Sequence, residues 1–224
     1  MCGRFTQTAS AEVIAQQFAI AAPPLFTPRY NIAPSQPVAA IRIKPATTIR
    51  QLVLLRWGLI PSWAKDPKIG HQCINAKAET VAEKPSFRAA FKARRCLVIA
   101  TGFYEWQVQG KAKQPMWIGL KSSRPFAFAG LWEQWQPPEG AAIESCTILT
   151  TEPNELLRPI HNRMPMILAP TSYDQWLDPT VQQAASLQAL LRPYPSEELQ
   201  AYAVSTLVNN PRHEAPDCLE PLSA

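Results

Sequence analysis

The 224-residue chain sets 22 Lys and Arg against 17 Asp and Glu, for a formal charge of +5 and a pI near 9.0, a balance that suits a polyanionic partner without demanding one. With 46% hydrophobic and 17% charged residues it has apolar material for one substantial core, which excludes wholesale disorder and makes a single domain over 1–224 the expectation. Five scattered cysteines with no C-x-x-C pair argue against a disulfide framework or a zinc site, and the absence of a signal-like start or an apolar run near ~18 residues argues against secretion or a membrane span.

In chain order, Ala11, Ile14, Ala15 and Phe18 recur at helical spacing behind Thr8 or Ser10, predicting an amphipathic helix over 9–18 that stops before Pro23 and Pro24. Strand patterns follow at 37–43 and 49–58, then a short helix at 86–94 with Phe87, Ala90 and Phe91 on one side. The run CLVIATGFYEW predicts one strand over 96–106, and Gly110 predicts a hairpin turn leading to a strand at 115–120. Further strands are expected at 126–135, 145–151, 164–169 and 199–205, with a loop around Pro137 and helices at 152–157, 172–177 and 180–191. Proline is abundant, 23 residues against 8 glycines, so connections should be stiff turns. Eight strands with short helices, no βαβ alternation and no glycine-rich phosphate loop predict an α+β domain, mainly antiparallel sheet with a distorted barrel-like core.

The chemistry-bearing stretches begin with MCGRF. Removal of Met1 would make Cys2 a 1,2-aminothiol, an α-amine of pKa ~7.7–8.0 beside a thiol of pKa ~8.5, both usable nucleophiles near neutral pH. The structural alternative is a small hydrophobe in an N-terminal strand. In GFYEW, Glu105 ends an apolar run between Tyr104 and Trp106, where partial burial would raise its pKa and suit acid–base work; a solvated strand end is the alternative. In PIHNRMP, His161 and Arg163 could form an anion-facing loop, and in INAKAET, Asn75, Lys77 and Glu79 alternate along an extended segment that could equally be a solvated edge. Trp57, Trp63 and Trp106 interleave with Arg29, Arg56, Lys65, Lys77 and Arg163, the combination of stacking faces and cations that a single-stranded nucleic acid needs, although each tryptophan alone suits a core.

Taken in order, MCGRF, RYNIAPSQ, RWGLIPSWAKD, INAKAET, GFYEW, PMWI, FAGLW, CTILTTEPN, IHNRMPMIL and the terminal VNNP segment closely resemble the SRAP family of abasic-site processing proteins, from residue 2 to about 221. The resemblance implies the SRAP fold and a role in the SOS and DNA damage responses. It implies binding to abasic sites in single-stranded DNA and a covalent thiazolidine crosslink through Cys2, with lyase-type strand cleavage and a self-processing peptidase activity alongside. By resemblance Cys2, Asn75, Glu105 and His161 are catalytic: Glu105 as acid and base, His161 on the opened sugar's hydroxyl, Asn75 orienting the adduct. Arg4, Lys77 and Arg163 would hold phosphates, with Pro34, Trp63 and Trp106 shaping the DNA groove.

Two departures bear on DNA affinity: Lys77 stands where the family often has arginine, and Ala64 follows Trp63 where some members carry a second aromatic. No metal or other cofactor is implied. A monomer in the cytoplasm, joining the nucleoid when bound to DNA, is the expectation, with partners in the replication machinery left open. Two other readings remain at this point. An N-terminal-nucleophile amidohydrolase would also use a processed Cys2, and a noncatalytic single-stranded DNA binder would use it only for packing.

Overall fold

Alternating apolar residues long enough to cover a core become the long strands of the computed structural model, which describes residues 2–21 and 27–222. The chain opens with β1 (Phe5–Gln7), α1 (Ala11–Phe18), β2 (Arg29–Ile32), β3 (Pro37–Ile43), β4 (Arg50–Trp57) and β5 (Asn75–Lys77). Next come α2 (Arg88–Ala93), β6 (Arg95–Ala100), β7 (Gly102–Gln109), β8 (Ala112–Leu120), β9 (Phe126–Trp135) and β10 (Ile143–Thr151). It ends with β11 (Met164–Pro165), β12 (Ile167–Leu168), α3 (Tyr173–Leu177), α4 (Ala184–Gln188) and β13 (Leu199–Ala203).

Two sheets organise these elements. In the first, the order is β13-β8-β7-β1-β2. In the second, β4, β3, β6, β9 and β10 pair in succession and β10 returns to β4, closing a five-stranded barrel in which only the β10–β4 pair is parallel. Closure leaves no free edge among these five strands. The predicted α+β class with mainly antiparallel sheet and a barrel-like core is therefore the observed one.

Alternation along the barrel strands feeds two apolar clusters. Val38, Ala40, Val98, Phe128 and Ile148 face one way and pack with Phe5, Phe103 and Ile118 of the first sheet, a cluster that also takes in Cys2. Ile41, Leu97, Ile99, Ala129 and Leu149 face the other way, beneath Ile14 and Phe18 of α1, Phe91 of α2 and Trp176 of α3. Arg95 crosses this second layer, its guanidinium donating to the carbonyls of Trp176, Phe91, Lys92, Asp178 and Val181, which ties α2 to the turn after α3. On the first sheet, Trp117 lies across Gly102 and Gly119. A Cβ at either glycine would stand 2.3 Å from the indole, so both positions are small to admit it.

Several predicted boundaries move. Helix α1 starts at Ala11 behind Ser10, whose side chain accepts from Val13 N, and it stops at Ala19 in the left-handed region (φ 51°); Pro23 and Pro24 lie outside the described residues. The run 96–106 is two strands in different sheets, parted at Thr101, whose N–H bonds Thr6 O at 2.8 Å and whose Oγ1 accepts from Thr8 N at 3.1 Å. The expected helix at 152–157 is a series of turns, because Asn154 Oδ1 accepts from Leu157 N at 3.0 Å while its Nδ2 donates to Tyr194 O at 2.7 Å. The helix predicted over 180–191 shrinks to α4, since Asp178 Oδ1 binds Thr180 N in a turn. The strand at 164–169 is the pair β11 and β12, on opposite flanks of the sheet order, and the hairpin turn at Gly110 is observed with φ 60°.

Candidate active site at the buried N-terminal cysteine

Strand pairing brings the N-terminal residues to the acid. Phe5 pairs with Phe103, and Tyr104 N donates to Arg4 O at 3.0 Å, so the chain before β1 runs alongside Glu105. From the other side comes β5, set parallel to β10 with Ile148 opposite Asn75; Trp57 Nε1 donates to Ile74 O at 2.8 Å and fixes the approach. Asn75 Nδ2 then donates to Cys2 O at 2.9 Å. Cys2 is fully buried, and Glu105, on β7, is only 2% exposed.

His161 completes the group from the turn after residue 160. Its N–H and that of Arg158 bond Leu157 O and Asn154 O in this turn, at 2.8 and 2.9 Å. His161 Nδ1 lies 3.1 Å from Arg163 N and 3.2 Å from Arg163 O, and its Nε2 lies 3.9 Å from Glu105 Oε2. Burial pushes the Glu105 carboxyl up to about 7 and holds His161 below its usual value. Burial also pushes the Cys2 thiol well up, and the charge of Glu105 adds to the effect, so the sulfur stays protonated. A carboxyl that titrates near neutrality beside a neutral imidazole can both give and take a proton at the N-terminal residue.

Two of the three expected phosphate ligands, Arg4 and Arg163, are already engaged. Arg4 Nη1 donates to Asn31 Oδ1 at 2.7 Å and Val208 O at 2.6 Å, and its guanidinium lies 5.9 Å from the Trp106 ring centroid. Arg163 grips both oxygens of Glu79, at 2.7 and 2.9 Å, and Thr150 O at 2.6 Å. That bond holds the Glu79 carboxyl below the usual range. Lys77 is exposed at the end of β5, Trp106 Nε1 donates to Asn209 Oδ1 at 2.7 Å, and an open cavity of about 480 Å³ is lined by Glu105, Trp106, Val108, Lys113, His161 and Asn209.

Cys2, Asn75, Glu105 and His161 are thus brought together, with Trp106 at the rim. Pro34 sits half-buried in the turn before β3 and Trp63 is 58% exposed; among the described residues no hydrogen bond joins either to the site. Sequence reasoning did not single out Lys113 and Asn209, which line this cavity. Asn209 falls in the VNNP segment and Lys113 in the hairpin QVQGKAKQP, so the signals were a polar pair in segments far apart in the chain. Among the described residues, His213, Asp217 and Cys218 place metal-ligating atoms within 4.8 Å of one another, and His213 Nε2 already bonds Asp217 Oδ1 at 2.7 Å.

Comparison with known proteins bears on the family and the fold. The chain is 49% identical over 224 residues to the abasic site processing protein YoqW of Bacillus subtilis strain 168, covering 98% of this chain and 99% of that one. It is 35% identical over 193 residues to the abasic site processing protein HMCES of Xenopus tropicalis, covering 76% of this chain and 57% of that one. A solved structure of a Bacteroides thetaiotaomicron protein superposes with a TM-score of 0.88 at 27% identity, covering 99% and 100% of the two chains. A Bordetella bronchiseptica protein gives 0.77 at 27% identity, covering 91% and 100%. Residues 1–211 match the family described as SOS response associated peptidase, and with that match the chain belongs to the SRAP family.

Proposed function

We propose that this protein recognises abasic sites in single-stranded DNA and shields them by crosslinking through Cys2, acting as one SRAP domain and as a monomer. The observation that carries the reading is the convergence of Cys2, whose carbonyl Asn75 holds at 2.9 Å, with a buried carboxyl that titrates at about 7 and a neutral histidine 3.9 Å from it. The names of the relatives point to the same substrate.

With Met1 removed, the Cys2 α-amine adds to the C1′ aldehyde of the ring-opened sugar, and the carbinolamine loses its hydroxyl as water, protonated by Glu105, to leave an imine. The thiol then adds to C1′ and its proton passes to the imine nitrogen. One C–N and one C–S bond form, one water leaves, and a five-membered thiazolidine results. The raised thiol pKa fits this order, because a protonated sulfur leaves the amine to react first. Holding both nucleophiles on one residue makes ring closure intramolecular. His161 is suited to hydrogen-bond the sugar hydroxyl through Nε2, and Asn75 fixes the cysteine backbone. Phosphate contacts fall to Lys77, Arg4 and Arg163, the last two by exchanging internal partners for DNA. Strand cleavage and peptidase activity would draw on the same Glu105 and Cys2.

The test is incubation with a single-stranded oligonucleotide bearing one abasic site, read by denaturing gel and intact mass. The expected product has the mass of protein without Met1 plus DNA less one water, forms on the damaged strand alone, and vanishes in Cys2→Ala. A heat-stable adduct with Cys2→Ala would sink the thiazolidine assignment. Retention on a native gel without any denaturation-stable adduct would support a noncatalytic binder, and hydrolysis of glutamine would support an amidohydrolase.

A further inference from the structure

The cavity beside Glu105 and His161 has two polar groups that the crosslinking chemistry does not use. At about 480 Å³ it falls within the range of small-ligand pockets, roughly 300–1,000 Å³. Lys113 lines it from β8, where it pairs with Val108 of β7 across a hairpin closed at Gly110. Gln107 Nε2 bonds Pro159 O at 3.2 Å, joining this hairpin to the turn that carries His161. Lys113 therefore stands on strand scaffold beside the site, close enough for its charge to act on His161.

Asn209 lines the cavity from the opposite segment. Its Oδ1 accepts from Trp106 Nε1 at 2.7 Å, and an indole N–H can only donate. The amide orientation is thereby settled, and the other end of the group is an NH₂ with two donors. An ammonium and an amide NH₂ lining one open cavity make a site for an anion, and the anion attached to the sugar that Cys2 would attack is a phosphodiester. Arg4 and Arg163 are bonded to Asn31, Val208, Glu79 and Thr150, whereas Lys113 is exposed at the cavity and its side chain, among the described residues, has no hydrogen bond or ion pair to exchange.

We propose that Lys113 and the Nδ2 amide of Asn209 form an anion subsite that holds the phosphodiester adjoining the reacting abasic sugar. The assignment rests on the function proposed above and adds a substrate contact to it. Its ligand is the backbone and not the base, so the subsite discriminates neither sequence nor damage; it sets how far the sugar enters the cavity.

The test separates binding from chemistry. Affinity is measured by anisotropy on a single strand carrying a tetrahydrofuran abasic analogue, which has no aldehyde and forms no imine. Lys113→Ala and Asn209→Asp, the latter keeping the acceptor for Trp106 and replacing the NH₂ by an anionic oxygen, are each expected to weaken binding about tenfold. Lys111→Ala, on the same hairpin outside the cavity lining, serves as the control and is expected to change it little. The salt slope should fall by about 0.7 in Lys113→Ala, the loss of one phosphate contact to a single strand. Replacing the phosphodiester 5′ or 3′ of the analogue by a neutral methylphosphonate should, on one side, cost the wild type the same factor and abolish the further effect of Lys113→Ala. Wild-type affinity in both variants, or an effect undiminished on both methylphosphonate strands, overturns the subsite. Adduct formation by the wild type on a true abasic strand is scored separately and judges the crosslinking function alone.

Discussion

Glu105→Gln should stabilise the protein in a pH-dependent way while slowing its chemistry. Glutamine is isosteric with the protonated acid, so the variant reports what ionisation costs at this site. The carboxyl rises from an ordinary 4.5 to about 7 because burial disfavours its charge. Between those two values the folded state holds a proton that the unfolded chain has released, so stability falls as pH rises through the window and the deficit is complete above about 7. A lift of that size corresponds to about 3 kcal/mol, or on the order of 10 °C in Tm for a chain of this length. Thermal melts of both proteins by circular dichroism should therefore coincide near pH 4 and separate by that amount at pH 8.5, with Glu105→Gln the more stable. An offset of equal size at both ends of the range would refute the argument, since the carboxyl would then carry no perturbed proton.

Gly119→Ala should lower stability by about 2 kcal/mol through overpacking, because its Cβ would lie 2.3 Å from the Trp117 ring. Urea unfolding should show a lower midpoint at unchanged slope, and an unaltered midpoint would mean that the indole moves freely. Glu79→Gln should release Arg163 from its charged partner and tighten binding of undamaged single strands about fivefold at low salt, with a steeper salt dependence. Weaker binding in that variant would show instead that Glu79 holds Arg163 in its working orientation.

Where burial is continuous and the strand is long, the sequence speaks clearly: FAFAGLWEQW is β9 residue for residue, and PVAAIRI is β3. Short strands escape because pairing and not composition makes them. β1 is Phe-Thr-Gln and β2 is Arg-Tyr-Asn-Ile, too short and too polar to alternate visibly, yet they lie side by side in the first sheet. The unbroken apolar run at 96–106 hides a change of sheet, because both sides of Thr101 are buried and hydropathy reports burial without saying against what. Asn154 and Asp178 defeat the two helix expectations by capturing backbone N–H groups, a local competition that periodicity does not register. The site was legible as a set of residue types and, through family resemblance, as an ordered set of motifs. Its electrostatics were legible in part: Glu105 between two aromatics at the end of an apolar run does carry the raised pKa expected there. That Arg4 and Arg163 are spoken for internally depends on contacts 27 and 84 residues away in sequence, which no local pattern encodes.

The complete burial of Cys2 places a constraint on time as well as space. Cys2 has no exposed surface, so a reagent in solution reaches its side chain less readily once the N-terminal segment is locked beside Glu105. That lock needs β7, whose last residue is Gln109, and ribosomes deliver roughly 5–20 residues per second. Modification of Cys2 from outside during synthesis thus has a window of seconds. Slowing translation before β7 is made should raise the labelling of Cys2 by a thiol reagent present during synthesis, and speeding the pairing of β1 with β7 should lower it.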